Sequence, residues 1–301
     1  MNLLKNVGAT ALVTIALSTF AVAETTVTLP DVNAELYGKL SYMGYYNEDT
    51  SGNGTWKSGN NFSRVGISIS EAGDMNAFGN VEVGVNVDDA GSDTFSSRLA
   101  YLGVDSPVGA ISVGRQNSVF TGVTGATDVF NVYGSNADQN QGSRLSNTLV
   151  YSTSMGPASV STLVQMDGSD NNKDIDIYET AVGFAVSGVD VNAGYSKNAN
   201  TEVDYMAVSG SMAVGPAAVT GMYNIKDDNG TETKGYELVA SMNNISVGYG
   251  EVIDGDTYIT AGIDKAITGA FSVYAEYQLE QNVTANQEDQ NNYAVGAKVT
   301  F

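Results

Sequence analysis

Phe271-Ser272-Val273-Tyr274-Ala275-Glu276-Tyr277-Gln278-Leu279-Glu280 alternates: Phe, Val, Ala, Tyr and Leu hold the odd positions, against Ser, Tyr, Glu, Gln and Glu at the even ones. A period of two is the mark of a β-strand with one apolar face. The last nine residues repeat it, with Tyr293, Val295, Ala297, Val299 and Phe301 set against Ala294, Gly296, Lys298 and Thr300. So do Val81, Val83, Val85 and Val87 against Glu82, Gly84, Asn86 and Asp88. A soluble half-buried sheet also alternates, so the connections between such segments have to decide the architecture.

Strands are expected at 34–46, 60–71, 77–88, 94–105, 108–115, 143–154, 158–167, 174–187, 189–197, 202–213, 217–226, 232–242, 245–253, 256–265, 270–281 and 289–301, sixteen in all. One set of connections is tight and nearly uncharged: Met155-Gly156-Pro157, Ser187-Gly188, Val214-Gly215-Pro216, Asn243-Asn244 and Thr268-Gly269. The other is polar and usually longer: 47–59, 88–93, 116–142, 167–173, 198–201, 227–231, 254–255 and 282–288. Short turns at one end and polar loops at the other, with an even strand number, describe a transmembrane antiparallel β-barrel. Such a sheet must close, because an open edge in lipid leaves backbone groups unpaired. A sixteen-stranded cylinder is too wide for side chains to fill, so its interior holds water. A sandwich or propeller would not alternate long and short connections so regularly. Tyr45, Tyr46, Tyr101, Tyr151, Tyr249, Phe271 and Phe301 sit at strand ends, where aromatic girdles meet lipid headgroups.

The first residues are a leader. Met1-Asn2-Leu3-Leu4-Lys5 is positive, Val7 to Phe20 is apolar but too short to span a bilayer, and Ala21-Val22-Ala23 offers the small residues of a cleavage site. Residues 1–23 are thus expected to be a signal peptide and 24–301 the barrel. That barrel carries 12 basic and 34 acidic residues, a net charge of −22, which repels nucleic acid. The chain has no cysteine and no histidine, which excludes disulfides, thiol and histidine catalysis and the usual zinc sites. No cofactor and no catalytic group are implied, since no motif singles out a carboxylate or Ser-Lys pair. Asp167-Gly168-Ser169-Asp170-Asn171-Asn172-Lys173-Asp174 has the look of a calcium loop but lacks its twelfth-position glutamate, so it reads better as a solvated acidic loop.

Several segments together resemble the general bacterial porin family of Gram-negative outer membranes. Leu36-Tyr37-Gly38-Lys39 resembles the family's first strand and Phe62-Ser63-Arg64-Val65-Gly66-Ile67 its second. Arg98-Leu99-Ala100-Tyr101-Leu102-Gly103-Val104 and Val113-Gly114-Arg115-Gln116 resemble its fourth and fifth, and Tyr293 to Phe301 its closing strand. The resemblance implies a homotrimeric outer-membrane channel for passive diffusion of small hydrophilic solutes and ions. It also implies contact with lipid and lipopolysaccharide, and a terminal Phe301 read by the barrel-insertion machinery. A substrate-specific channel is the competing reading, with Tyr37, Tyr133 and Tyr274 as candidates for an aromatic slide. A barrel-anchored adhesin would need exposed loops longer than these.

The 27-residue connection 116–142 is too long for a hairpin and too apolar for a solvated tail, with Phe120, Val123, Val129, Phe130, Val132 and Tyr133 among its glycines. It should pack on the lumen wall, and the resemblance says that the third loop folds inward and narrows the channel. Parity then selects the lining. Lys39 shares a face with Tyr37 and Ser41, and Arg64 with Gly66, Ser68 and Ser70, opposite the aliphatic residues. Arg98 is set against Leu99 and Tyr101, and Arg144 against Leu145 and Leu149. The resemblance makes Lys39, Arg64, Arg98 and Arg144 a basic ladder and Asp128 the acid on the loop that faces it. The second loop acid of the family pattern is missing at Asn131-Val132-Tyr133-Gly134-Ser135 unless Asp138 replaces it. Arg115 has outward parity and is expected near a subunit contact; the second loop, 88–93, which the resemblance makes the latch onto a neighbouring subunit, is short. Acids at the mouth (Glu48, Asp49, Asp167, Asp170, Asp227, Asp228, Asp254, Asp256, Glu288, Asp289) predict a mild preference for cations.

Overall fold

The computed structural model describes residues 32–71, 73, 75–88, 94–168, 173–282 and 287–301; the expected leader lies outside the described residues. Seventeen strands form one antiparallel sheet. They are β1 (Val32–Glu48), β2 (Gly54–Asn60), β3 (Arg64–Glu71), β4 (Asn76–Val85), β5 (Phe95–Ser106), β6 (Gly109–Asn117), β7 (Arg144–Met155), β8 (Ala158–Gln165) and β9 (Ile177–Val186), followed by β10 (Val189–Asn198), β11 (Val203–Val214), β12 (Ala217–Asp228), β13 (Thr231–Met242), β14 (Ile245–Val252), β15 (Thr257–Ala266), β16 (Phe271–Gln281) and β17 (Gln290–Thr300). β2 and β3 both pair with β1, every later strand pairs with the next in sequence, and β17 returns to β1 from Lys39↔Thr300 to Tyr46↔Tyr293. Reciprocal bonds of 2.8 and 3.1 Å between Gly38 and Phe301 finish the seam, so no edge is left for lipid.

The seventeen strands make sixteen staves, because β2 and β3 share one. Tyr42–Glu48 of β1 pairs with β2 and Val32–Lys39 with β3. Residues 54–59, expected as loop, extend that stave, with Trp56 directly opposite Tyr46 and their tilted ring centroids 5.8 Å apart. The stave breaks at 61–63, where Phe62 takes a φ of +53°. Ser63 mends the ladder: its hydroxyl accepts from the Ser41 N–H at 2.9 Å and donates to the Ser41 carbonyl at 3.1 Å.

Most apolar residues of the strands point outward, among them Leu36, Leu102, Val208, Leu238, Ile259 and Val295, all exposed. Aromatic neighbours ring the outer surface at the loop end: Tyr46 with Tyr293 at 6.1 Å, Tyr277 with Tyr293 at 5.1 Å, Tyr178 with Tyr195 at 6.0 Å and Tyr236 with Tyr249 at 5.9 Å. Such rings suit the headgroup layer. Two expected girdle residues are corrected. Tyr45 is paired with inward Ala294, and Tyr101 with inward Asn80. For Tyr101 the cause is a β-bulge between β4 and β5, where Arg98 is the extra residue and parity changes sign. A second bulge between β6 and β7, where Asn147 has a φ of +55°, has the same effect on Leu145. Leu145 was expected to face lipid; it is buried on the inner side with Leu163 and Ile177, under Val119.

The connection 118–143 lies on that inner side. It starts with a helical turn, α1 (Thr121–Thr124), and a 3-10 turn at 125–127. Phe120 and Val123 pack on Val203, Tyr205 and Ala207 of β11. Phe130 rests where Gly248 and Gly262 leave the wall bare; a Cβ on either would come within 3.0–3.2 Å of its ring. Three buried glutamates then fix the loop's polar atoms. Glu179 accepts from the Ser118 hydroxyl at 2.8 Å and the Phe120 N–H at 3.2 Å. Glu237 accepts from the Ala137 N–H at 3.2 Å and from the Thr127 and Tyr258 hydroxyls. Glu276 accepts from three consecutive N–H groups, those of Asn131, Val132 and Tyr133.

Two outcomes follow. Val208→Lys puts a charge on the lipid face near mid-strand and should cost ~2–4 kcal/mol in urea unfolding from lipid vesicles; a loss near zero would contradict the sidedness. Glu276→Gln leaves one acceptor oxygen for three N–H donors and should cost roughly 1–3 kcal/mol of loop anchoring. Protease cleavage within 116–142 should quicken and open-channel noise should rise, and wild-type values for both would show that this carboxylate does not hold the loop.

Candidate functional site

Lys39 and Arg64 are direct cross-strand partners and share the inward face, as parity requires. Arg98 reaches the same face through its bulge. Between the two arginines stands Glu82 of β4, buried, at 3.5 Å from Arg64 Nε and 2.5 Å from Arg98 Nε. One carboxylate therefore partly neutralises two of the four expected cations, while Lys39 has no ion pair among the described residues. Arg144 stands within electrostatic reach of Arg98, Glu82, Arg115 and Arg64, and its buried Nε has no acceptor. Arg115 pairs with outward Ala100 and gives its guanidinium to the Arg98 carbonyl at 3.1 Å and the Ser146 hydroxyl at 2.7 Å.

The loop supplies two acids. Asp128 ends the 3-10 turn of the loop, with Glu237, Glu276 and Lys39 as the charges that act on it. Enclosure by protein, then Glu237 and Glu276, hold its carboxyl above the ordinary aspartate range, against the pull of Lys39. Asp138, the possible second loop acid, turns back into the loop: it accepts from the Thr124 hydroxyl at 3.0 Å and the Asn140 amide at 2.6 Å. Burial pushes its carboxyl up to about 6, with Glu237 and Asp128 adding to the rise against those hydrogen bonds.

Sequence reading passed over Lys298, Glu82, Glu179, Glu237 and Glu276. Alternation alone marks Lys298 as inward, against Val295, Ala297 and Val299. It binds Asp264 and, at 2.7 Å, the loop's Asn131, tying β15, β17 and the loop together. No local pattern tells that the three glutamates receive loop N–H groups; that needs the fold. The three tyrosines considered for a slide are otherwise engaged. Tyr274 is buried and bonded to Asn61 at 2.8 Å, Tyr133 donates to Asn47 at 2.7 Å, and Tyr37 donates to Asn80 at 3.0 Å. Among the described residues no cluster of acidic side chains could hold a metal ion.

Comparison with known proteins agrees with this architecture. No curated protein matches the chain. Among solved structures, a Salmonella typhi OmpF complex with daunomycin superposes with a TM-score of 0.72 at 19% identity, covering 89% of this chain and 97% of that one. OmpT of Vibrio cholerae, in-vitro folded and in trimer form, gives 0.70 at 17%, over 90% and 99%. The outer-membrane channel DcaP of Acinetobacter baumannii gives 0.68 at 13%, over 90% and 97%. At these identities the likeness shows the fold. The Gram-negative porin profile matches residues 8–298, nearly the whole sequence. The chain is an outer-membrane β-barrel channel and belongs to the Gram-negative porin family.

Proposed function

We propose that the barrel is a water-filled diffusion channel for small hydrophilic solutes and ions, with a mild preference for cations. The observation that supports this reading is a set of opposite charges inside the barrel: Lys39, Arg64 and Arg98 stand on β1, β3 and β5, and Asp128 of the loop lies within electrostatic reach of Lys39 as well as of Glu237 and Glu276. Opposed charges at a narrow point impose a transverse field that orients dipolar solutes and slows apolar ones. The acid excess of the chain concentrates cations at the mouth, and Glu82 weakens the basic side at the narrow point. Zero-current potential across a KCl gradient measures the preference directly; anion preference would overturn it.

The raised carboxyls add a pH dependence with a fixed sign. Asp138 takes up a proton as pH falls through about 6, and Asp128 above the usual aspartate range. Each protonation removes a negative charge from the loop. Cation preference should therefore fall between about pH 8 and about pH 5, and Asp138→Asn should remove part of that fall. A potential that is flat over this window would show that neither group faces the permeating ions.

Assembly as a homotrimer is proposed with the channel, supported by the trimeric relative of the same fold. Triplet closures in single-channel records are the expected signature; single steps throughout would indicate a monomer. Phe301, half exposed outside the barrel, is proposed as the residue presented to the insertion machinery, and the outer aromatic ring as the contact with lipid and lipopolysaccharide.

A further inference from the structure

Phe62 sits at the break between β2 and β3. It is 63% exposed, its backbone has a φ of +53°, and Lys39 Nζ lies 6.0 Å from its ring centroid. Positive φ in a bulky residue is strained and persists only where its surroundings hold it. Here they do: Asn61 on one side donates to Tyr274 and to the loop carbonyl of Asn131, and Ser63 on the other mends the ladder to Ser41. Lys39 faces inward, so the ring within reach of its ammonium borders the aqueous lumen. The strained break thus presents an apolar ring to water where a strand would have continued without one.

The charges beside the ring are cationic and incompletely matched. Lys39 has no carboxylate within ion-pair distance among the described residues, and the charges that act on it are Arg64, Lys298 and Arg98 and, with opposite sign, Asp128. Arg64 shares Glu82 with Arg98. A flat ring on the face of Phe62 would place an attached anionic group toward Lys39 and Arg64, combining stacking with a charge-assisted contact. We propose that Phe62, Lys39 and Arg64 form a subsite for small aromatic carboxylates inside the channel. The subsite rests on the channel reading and makes the barrel selective for one shape of anion despite its overall acidity.

The test is block of KCl current in planar bilayers by benzoate and by cyclohexanecarboxylate, two acids of equal charge and similar size of which only the first has a π face. Benzoate should block saturably and roughly threefold or more strongly than the saturated acid. Phe62→Leu should bring the two acids to equal block. Phe62→Gly, which suits the positive φ and so guards against a folding defect, should do the same. Lys39→Gln should weaken block by both acids. Equal block in the wild type, or a benzoate preference that survives both Phe62 variants, would overturn the subsite while leaving the channel reading intact. A protein with no KCl conductance would overturn the channel itself, and the subsite with it.

Discussion

Lipid offers backbone groups no hydrogen-bond partners, and each one left unpaired there costs several kcal/mol. Closure of the sheet satisfies that demand, and the rest of the structure follows from it. The seam between β1 and β17 runs to the last residue, where Phe301 and Gly38 exchange both bonds. The one break, at 61–63, recruits the Ser63 side chain to replace the missing backbone contacts with Ser41. With pairing met by the sheet, the outward face needs only to be apolar, and the inward face needs packing only where the loop lies on it. A chain with 34 acidic residues can fold because its polar side chains meet water rather than a core.

A cylinder of sixteen staves is wider than its side chains can fill, which creates the second problem. The loop between β6 and β7 answers it by bringing its own small core against the wall: Phe120 and Val123 on β11, Phe130 over the bare glycines. Glu179, Glu237 and Glu276 meet its backbone N–H groups and hydroxyls. Burying a carboxylate without a cation is expensive unless hydrogen bonds replace its hydration. Each of these has at least three donors, which stand in for that hydration.

The strand count, the sidedness and the inward loop were legible because each depends on a pattern of period two or on segment length. Val295, Ala297 and Val299 against Lys298 need no tertiary knowledge. Tyr45 shares the inward parity of Lys39 and Ser41, so its error was readable from alternation; the others came where the period slipped. The bulge at Arg98 turned Tyr101 inward, and the bulge near Asn147 did the same to Leu145. An inserted residue changes parity without altering composition, so nothing in the flanking residues announces it. The loop's partners were illegible for another reason: Glu276 and Asn131 are 145 residues apart, and only closure of the barrel brings them together.

Anchoring and electrostatics turn out to be properties of the same groups. Glu237 and Glu276 hold the loop, and they are also the charges that raise the carboxyl of Asp128. Removing either carboxylate therefore loosens the loop and weakens the negative side of the lumen in one step. The basic side is built differently. Its cations sit on strands whose register fixes them, and its single shared acid, Glu82, is buried between Arg64 and Arg98. Of the acids, Glu237 and Glu276 sit on β13 and β16, whose register fixes them as it fixes the bases, whereas Asp128 rides on the loop. Changes in loop packing should therefore move Asp128 while leaving the bases and both glutamates in place.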